Sequence, residues 1–370
     1  MNRRKVLIIC IDAGGHDYLA ASDIPNIRRL ADSGFYKCAN SVIPSVTNVN
    51  NVSIAAGCFP ATHGITTNYH VDRKTGSGEF VEDNRFLLAP TLFERAKSAG
   101  FAEKTALLVT KQKLLRMLDG GADIRIAAEA PSAAYVESVG APESIYSAEI
   151  NWWLFRALRR VLRDENPDIV FCSTTDWAQH KFAPDEEESQ RHMAELDRIL
   201  GEIVDDCPDR EIYLTADHGM SAKTGALDPG RWLTEHGVAA SAIPIIKDRY
   251  VAHHGNLGGA AYIFLDERGD CARAIALLRD APGVEEVYTA AQAAETFKLH
   301  RDRIGDVFVL ADCDTVFGEL EQTQMDVRLR SHGSRHESYV PVIGYNSTWR
   351  AEDFSNNVDV GRLFLQSILH

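Results

Sequence analysis

A chain of 370 residues that is 45% hydrophobic and 25% charged can bury a sizeable core and is too apolar to be disordered. Its formal net charge of −14 excludes a broad nucleic-acid surface but leaves room for a small basic pocket that takes a compact anion. No apolar run approaches the ~20 residues of a membrane span. The run Val6–Ile11 is too short for a secretory signal and stops at Asp12, so it reads as a first core strand. Seven cysteines lie scattered at 10, 38, 58, 172, 207, 271 and 313 without a CxxC. That set is expected to be buried free thiols in a reducing cytoplasm.

Lys5–Ile11 is followed by the turn Asp12-Ala-Gly-Gly15. Pro25–Ser33 has Ile27, Leu30 and Ala31 at helical spacing, with Gly34 as its stop. Asn48–Gly57 reads as the first turns of another helix. Helices are predicted at Pro90–Gly100, Ala148–Glu165 and Glu186–Val204, and strands at Thr105–Val109, Asp168–Ser173 and Glu211–Thr215. Helices alternating with short apolar strands predict an α/β fold: a mostly parallel sheet covered on both faces. Residues 225–325 read differently, with strands at Ile243–Ile246, Ala260–Phe264 and Val307–Leu310 and a helix at Cys271–Leu278. They are expected to form a smaller α+β cap inserted into a catalytic core of 1–224 and 326–370, which ends in the helix Val358–Leu369.

Four places set Asp or His just beyond an apolar strand or in a Gly-rich turn: Asp12, Asp176 with His180, Asp217 with His218, and His332. In an open α/β sheet the crevice lies outside the carboxyl ends of the strands, where such groups converge. Taken singly each has a plainer reading: a helix N-cap, a turn, or an i,i+4 pair on a helix face. Taken together, three Asp and three His suit two Zn²⁺-like ions. Thr47, ahead of a helix whose free N–H groups favour phosphate, is the candidate nucleophile, with an ordinary N-cap as the alternative. Lys111-Gln-Lys113 reads either as a solvated helix start or as a pair of cations for a substrate anion. His253-His254, in a Gly-rich loop, is assigned no role, and His16, His63, His70 and His336 gain nothing from spacing.

Asp12, Thr47 with Asn50, Asp176-x-x-x-His180, Asp217-His218-Gly219 and His332-Gly333 resemble the two-metal core of the alkaline phosphatase superfamily, in the spacing of its nucleotide pyrophosphatase/phosphodiesterase branch. Gly64-Ile-Thr-Thr-Asn-Tyr69, Thr110-Lys-Gln-Lys-Leu114, Ser173-Thr-Thr-Asp-Trp-Ala-Gln-His-Lys181 and His253-His-Gly255 are similar to segments of the phosphonoacetate hydrolases within it. Thr47-Asn-Val-Asn-Asn51 departs from that family's usual Thr-Asn-Pro-Asn-Asn, a change that removes no functional atom. The resemblance covers residues 5–345 and implies two Zn²⁺ per chain. One would be held by Asp176, His180 and His332, the other by Asp12, Asp217, His218 and the Thr47 oxygen.

Asn68 would meet the phosphonyl group, and Lys111 and Lys113 the substrate carboxylate. The implied reaction is hydrolysis of the P–C bond of phosphonoacetate to acetate and phosphate through a phospho-threonine. Its expected partner is a small anionic phosphonate, with no nucleic acid and no membrane; a homodimer is compatible with the resemblance. A two-zinc phosphodiesterase or nucleotide pyrophosphatase, a hydrolase of a related phosphonate, and a non-catalytic metal-binding protein are the rival readings.

Overall fold

The computed structural model describes residues 4–369. A seven-stranded sheet forms its centre. The strands Glu211–Thr215, Val6–Cys10, Ile169–Ser173, Thr105–Val109 and Ile124–Ala127 run parallel in that spatial order. Tyr339–Tyr345 joins antiparallel beside Glu211–Thr215 and carries the edge strand Phe35–Asn40. The first four parallel strands are buried along their whole length, as strands covered on both faces must be.

Side-chain alternation along Val6–Ile11 divides the interior. Val6, Ile8 and Cys10 pack with Phe93 and Phe364 on one face, and Leu7, Ile9 and Ile11 with Trp153 and Leu196 on the other. The second face is roofed by the helices Glu149–Asp164 and Glu187–Asp206, each amphipathic and turned inward. Asp197 in the latter accepts the N–H groups of Asn26 and Ile27 at 3.1 and 2.7 Å. It thereby satisfies the open N-terminus of the helix Pro25–Ser33, which has no capping side chain of its own.

The helix expected from Pro90 begins at Leu92, because Thr91 and Glu94 close a capping box there. The helix expected from Asn48 begins one residue earlier, at Thr47.

A four-stranded antiparallel sheet lies within residues 240–311, in the order Ala240–Pro244, Ala260–Leu265, Val307–Ala311, Val284–Thr289. The strand expected at Ile243–Ile246 ends instead at Pro244. Beyond it the chain bends, and the Ile245 carbonyl accepts the N–H of Asn68 at 3.3 Å. A three-stranded sheet of Ser221–Leu227, Thr315–Phe317 and Gln324–Ser331 was not anticipated. Gln324–Ser331 is half exposed, but Met325, Val327 and Leu329 alternate with polar residues, a period-2 strand signal that the sequence reading passed over.

All seven cysteines are free. Cys10 and Cys172 are buried as expected, but Cys38 and Cys313 are exposed, which corrects the expectation of uniformly buried thiols. Among the described residues no helix is long and apolar enough to cross a membrane.

Candidate active site

The parallel strands end flush: Cys10 pairs in register with Ser173 and Thr215, and Ser173 with Val109. Four neighbouring strands therefore deliver their following residues to one edge, in the order Asp217/His218, Asp12, Asp176/His180, Lys111/Lys113. Tyr339–Tyr345 runs the other way, so the segment preceding it, with His332, arrives at the same edge. Thr47 reaches that edge in the segment that follows Phe35–Asn40.

Two groups of buried ligand atoms form there, each drawn together within 4.8 Å: Asp176, His180 and His332, and Asp12, Asp176 and His218. The first matches the expected triad. The second differs from expectation, with Asp176 in the place given to Asp217. Asp217 is buried beside it, with Oδ2 3.6 Å from His218 Nε2. Its carboxylate is tied down by the N–H groups of Ala13 and His218 at 3.1 and 3.0 Å and by Asn51 Nδ2 at 3.0 Å. Ala13 has a φ of 54°, an uncommon conformation for a residue with a Cβ, and that twist points its N–H at Asp217.

Each of these three histidines turns Nδ1 to a main-chain carbonyl: His180 to Arg330 at 2.8 Å, His218 to Gly219 at 2.9 Å and His332 to Ser45 at 2.8 Å. A ring that donates from Nδ1 keeps the Nε2 lone pair for the site, the tautomer a metal requires. Both oxygens of Asp12 are buried without a hydrogen-bond partner, an expensive state unless a cation shares the site. Burial, then the charges of Asp176 and Asp217, push the Asp12 carboxyl well above its usual range. Burial, then His218, hold the His332 imidazole well below its ordinary value, so it stays neutral and able to ligate. The residues present fit divalent metal ions, and nitrogen with carboxylate oxygen is a zinc-type donor set.

Thr47 opens a helix, Thr47–Ala56, whose residues are all buried. Its N-cap is Val46, and no side chain caps it. The plain N-cap reading of Thr47 is therefore excluded. The hydroxyl lies 3.3 Å from His218 Nε2, inside the cluster. Asn50 anchors the helix by accepting the N–H of Val42 at 2.7 Å and donating to its carbonyl at 2.9 Å. Asn51 links it to Asp217.

Glu337 joins two metal-side loops. Its main-chain oxygen accepts the N–H of Gly219 at 2.7 Å, and its buried carboxylate takes Lys223 Nζ at 2.9 Å and Ser334 Oγ at 2.8 Å. Gly333, next to His332, has a φ of 121°, and a Cβ there would lie 2.9 Å from the nitrogen of Gly259. Only glycine fits that crossing.

The two lysines are not solvated. Lys111 is the N-cap of the helix Gln112–Leu118 and Lys113 lies in its first turn. They are 5% and 2% exposed, so the helix start is real but it is not solvated. Lys111 Nζ is 3.3 Å from Asp176 Oδ1. Burial works against its charge, but Asp176, Asp12 and Asp248 outweigh that and raise its pKa. Burial likewise opposes the Asp176 carboxylate, but Lys111, His180 and His253 outweigh it and hold it well below the usual range. Lys113 Nζ and Asn68 Nδ2 both reach Asp248, the latter at 3.3 Å. The ring of Tyr250 lies 5.6 Å from Lys111 Nζ and 5.2 Å from Lys113 Nζ.

Sequence reasoning missed Asp248 and Tyr250 and gave His253 and His254 no role. His253 Nε2 is 2.7 Å from Asp176 Oδ1, and His254 Nε2 is 3.1 Å from Asp248 Oδ1. The adjacent histidines were the one signal that could have drawn attention to this segment. No motif surrounds Asp248.

The geometry has counterparts among known proteins. Two crystal structures of phosphonoacetate hydrolase from Sinorhizobium meliloti 1021, one in complex with phosphonoformate and one with phosphonoacetate, superpose with a TM-score of 0.89. They share 31% identity with this chain over 99% of it and 96% of theirs. Murine ectonucleotide pyrophosphatase/phosphodiesterase 5 has the same fold at a TM-score of 0.70 and 18% identity, over 99% of this chain and 95% of its own. A curated relative, the venom phosphodiesterase of Macrovipera lebetinus, is 26% identical over 58% of this chain and 25% of its own length. The bis(5'-adenosyl)-triphosphatase ENPP4 of Bos taurus is 24% identical over 66% of this chain and 55% of its own. The chain thus spans only about a quarter to a half of these curated relatives. The family model for type I phosphodiesterase / nucleotide pyrophosphatase matches residues 6–337. The chain is an α/β protein that belongs to the type I phosphodiesterase / nucleotide pyrophosphatase family, with phosphonoacetate hydrolase among its structural neighbours.

Proposed function

We propose that this protein hydrolyses the P–C bond of phosphonoacetate to acetate and phosphate, with Thr47 as nucleophile and two Zn²⁺ as cofactors. The observation that carries the reading is the burial of two lysines beside the metal-ligand cluster. A simple phosphodiester needs no such pair, whereas a substrate with a carboxylate one carbon from phosphorus does.

Expelling carbon from phosphorus places an electron pair on a methylene group, a poor leaving group. A neighbouring carboxylate spreads that charge over its oxygens, and fixed cations there stabilise the charge where it develops. Lys111 and Lys113 are assigned that task, and Asn68 the phosphonyl oxygens. Asp176, His180 and His332 would hold one ion, and Asp12, Asp217, His218 and the Thr47 oxygen the other, with Asp176 close enough to be shared. When bound, such ions would make the threonine hydroxyl more acidic and neutralise the phosphonyl group. Thr47 Oγ1 releases its proton to solvent and forms a bond to phosphorus as the P–C bond breaks. The released carbon takes a proton from water to give acetate, and a second water hydrolyses the phospho-threonine to phosphate. The N–H groups of the first turn at Thr47 have no acceptors within the helix and suit the transferring anion.

The runner-up, hydrolysis of a phosphodiester or pyrophosphate by the same ligands, is supported by the family match and by the curated relatives. Phosphate release from phosphonoacetate and nitrophenolate release from bis(p-nitrophenyl) phosphate should be measured before chelation, after it, and after zinc return. The proposal expects phosphonoacetate turnover that disappears with the metal and returns with it. Turnover of the diester alone would transfer the assignment to the runner-up.

A further inference from the structure

The segment after the strand Ala240–Pro244 contributes a carboxylate to the lysine side of the site. Asp248 is 3% exposed, and its two oxygens have separate duties. Oδ1 accepts the N–H of Tyr250 at 2.7 Å and faces His254 Nε2 at 3.1 Å. The N–H of Asp248 itself donates to Asn256 Oδ1 at 3.2 Å. The side chain is thereby fixed from its own turn. Oδ2 is left for the site and takes both the Lys113 ammonium and the Asn68 amide.

We propose that Asp248 is a positioning residue that selects for substrates with a carboxylate. A single oxygen links Asn68, assigned to the phosphonyl end, to Lys113, assigned to the carboxylate end, and so sets the spacing of the two. The inference rests on the phosphonoacetate reading of the site and adds to it a determinant of ligand shape.

Three observations support it. Lys113 is a buried ammonium, and a buried charge needs an anionic partner to keep its place; Asp248 is that partner. Burial opposes the Asp248 charge, but Lys113 and His254 outweigh it and keep the carboxyl ionised. Asn68 comes from a loop and Lys113 from the first turn of the helix Gln112–Leu118, and no direct contact joins them among the described hydrogen bonds. A ligand held at one end is indifferent to their spacing; a ligand held at both ends is not.

The test uses titration calorimetry on zinc-loaded protein in a Thr47→Ala background, so that no ligand is consumed. The probes are phosphonoacetate and methylphosphonate, which differ in the carboxylate. Asp248→Asn is expected to weaken phosphonoacetate at least tenfold more than methylphosphonate. Asp248→Asn/Lys113→Met buries no unpaired charge and keeps the test open if the single variant does not fold. Its ratio of the two affinities should equal that of Lys113→Met alone. An equal loss for both probes, no loss for either, or a double-variant ratio that multiplies the two single effects would overturn the proposal. Because the readout is binding, absence of P–C cleavage in the wild type would remove the proposed reaction and leave this result standing on its own.

Discussion

The site has two halves of different construction. The metal half is built mainly at the carboxyl ends of adjacent parallel strands, which deliver Asp12, Asp176 with His180, and Asp217 with His218 in a register fixed by the sheet, while Thr47 and His332 arrive from beside its antiparallel strands. The carboxylate half is assembled from three separate segments: the helix start at Lys111, the loop at Asn68 and the turn at Asp248–Tyr250. The first half is rigid because the core is rigid. The second is held by buried ion pairs, with the Tyr250 ring 5.6 and 5.2 Å from the Nζ atoms of Lys111 and Lys113. In the proposed reading, the metal chemistry sits at the strand ends, while the choice of substrate rests on side chains that Asp248 draws together from separate segments.

The largest effect belongs to the metal half. Thr47→Ala is expected to lower turnover of both phosphonoacetate and the diester about a thousandfold or more, with zinc content by metal analysis unchanged. Retention of either activity would remove the covalent route. Next comes the carboxylate half. Lys111→Met should cost about 10²–10³ in kcat/KM for phosphonoacetate, the scale of one lost charge-stabilising donor, and clearly less for the diester. Equal losses would mean that the lysine serves the metals through Asp176 rather than the substrate.

A smaller effect separates ligand from support. Asn51→Ala frees Asp217 Oδ2 and should lower zinc affinity about 10–100-fold, which a competition titration with a chromophoric chelator reads directly. Unchanged affinity would show that the hydrogen bonds from Ala13 and His218 suffice to hold Asp217.

The smallest effect lies outside both halves. His63 is fully buried against Ser53 of the helix Thr47–Ala56, with Nε2 2.9 Å from its hydroxyl. Burial, then Arg303, lower its pKa to about 3. The unfolded chain protonates this histidine near its ordinary value of ~6.5, so it binds more protons than the folded chain between the two values. Its contribution is complete above about pH 6.5 and is lost as pH falls toward 3. Denaturant unfolding should show stability falling over that window by up to ~1.4 kcal/mol per pH unit for this group, and His63→Gln should flatten the slope. A wild-type profile unchanged by the substitution would contradict the assignment.

The division between the halves also marks what the sequence disclosed. Asp12, Asp176, Asp217 and His218 could be read because each follows an apolar run that announces a strand, and the end of a parallel strand is a defined place. His180 and His332 followed from spacing and from glycine. What could not be read was the sharing of Asp176 between both ligand groups, which depends on side-chain reach across neighbouring strands. Lys111 and Lys113 had two readings, and their burial removes the solvated one. Asp248 was invisible for a physical reason: it lies in Ile246-Lys-Asp-Arg-Tyr250, which looks like any charged turn, and its partner Lys113 is 135 positions away. In the fold, the first four parallel strands were legible from their short apolar runs, whereas the buried strand Tyr339–Tyr345, interrupted by Pro341 and Gly344, was not. The edge strand Phe35–Asn40 was not, since its half-exposed faces lack a continuous apolar run.

The central claim is that one site carries both metal chemistry and recognition of a carboxylate, so that phosphonoacetate is cleaved between phosphorus and carbon. It is tested most directly by incubating the zinc-loaded protein with phosphonoacetate and following both products by nuclear magnetic resonance. The account predicts acetate and phosphate appearing one to one, and neither after chelation. Intact phosphonoacetate alongside rapid hydrolysis of a diester by the same preparation would contradict it.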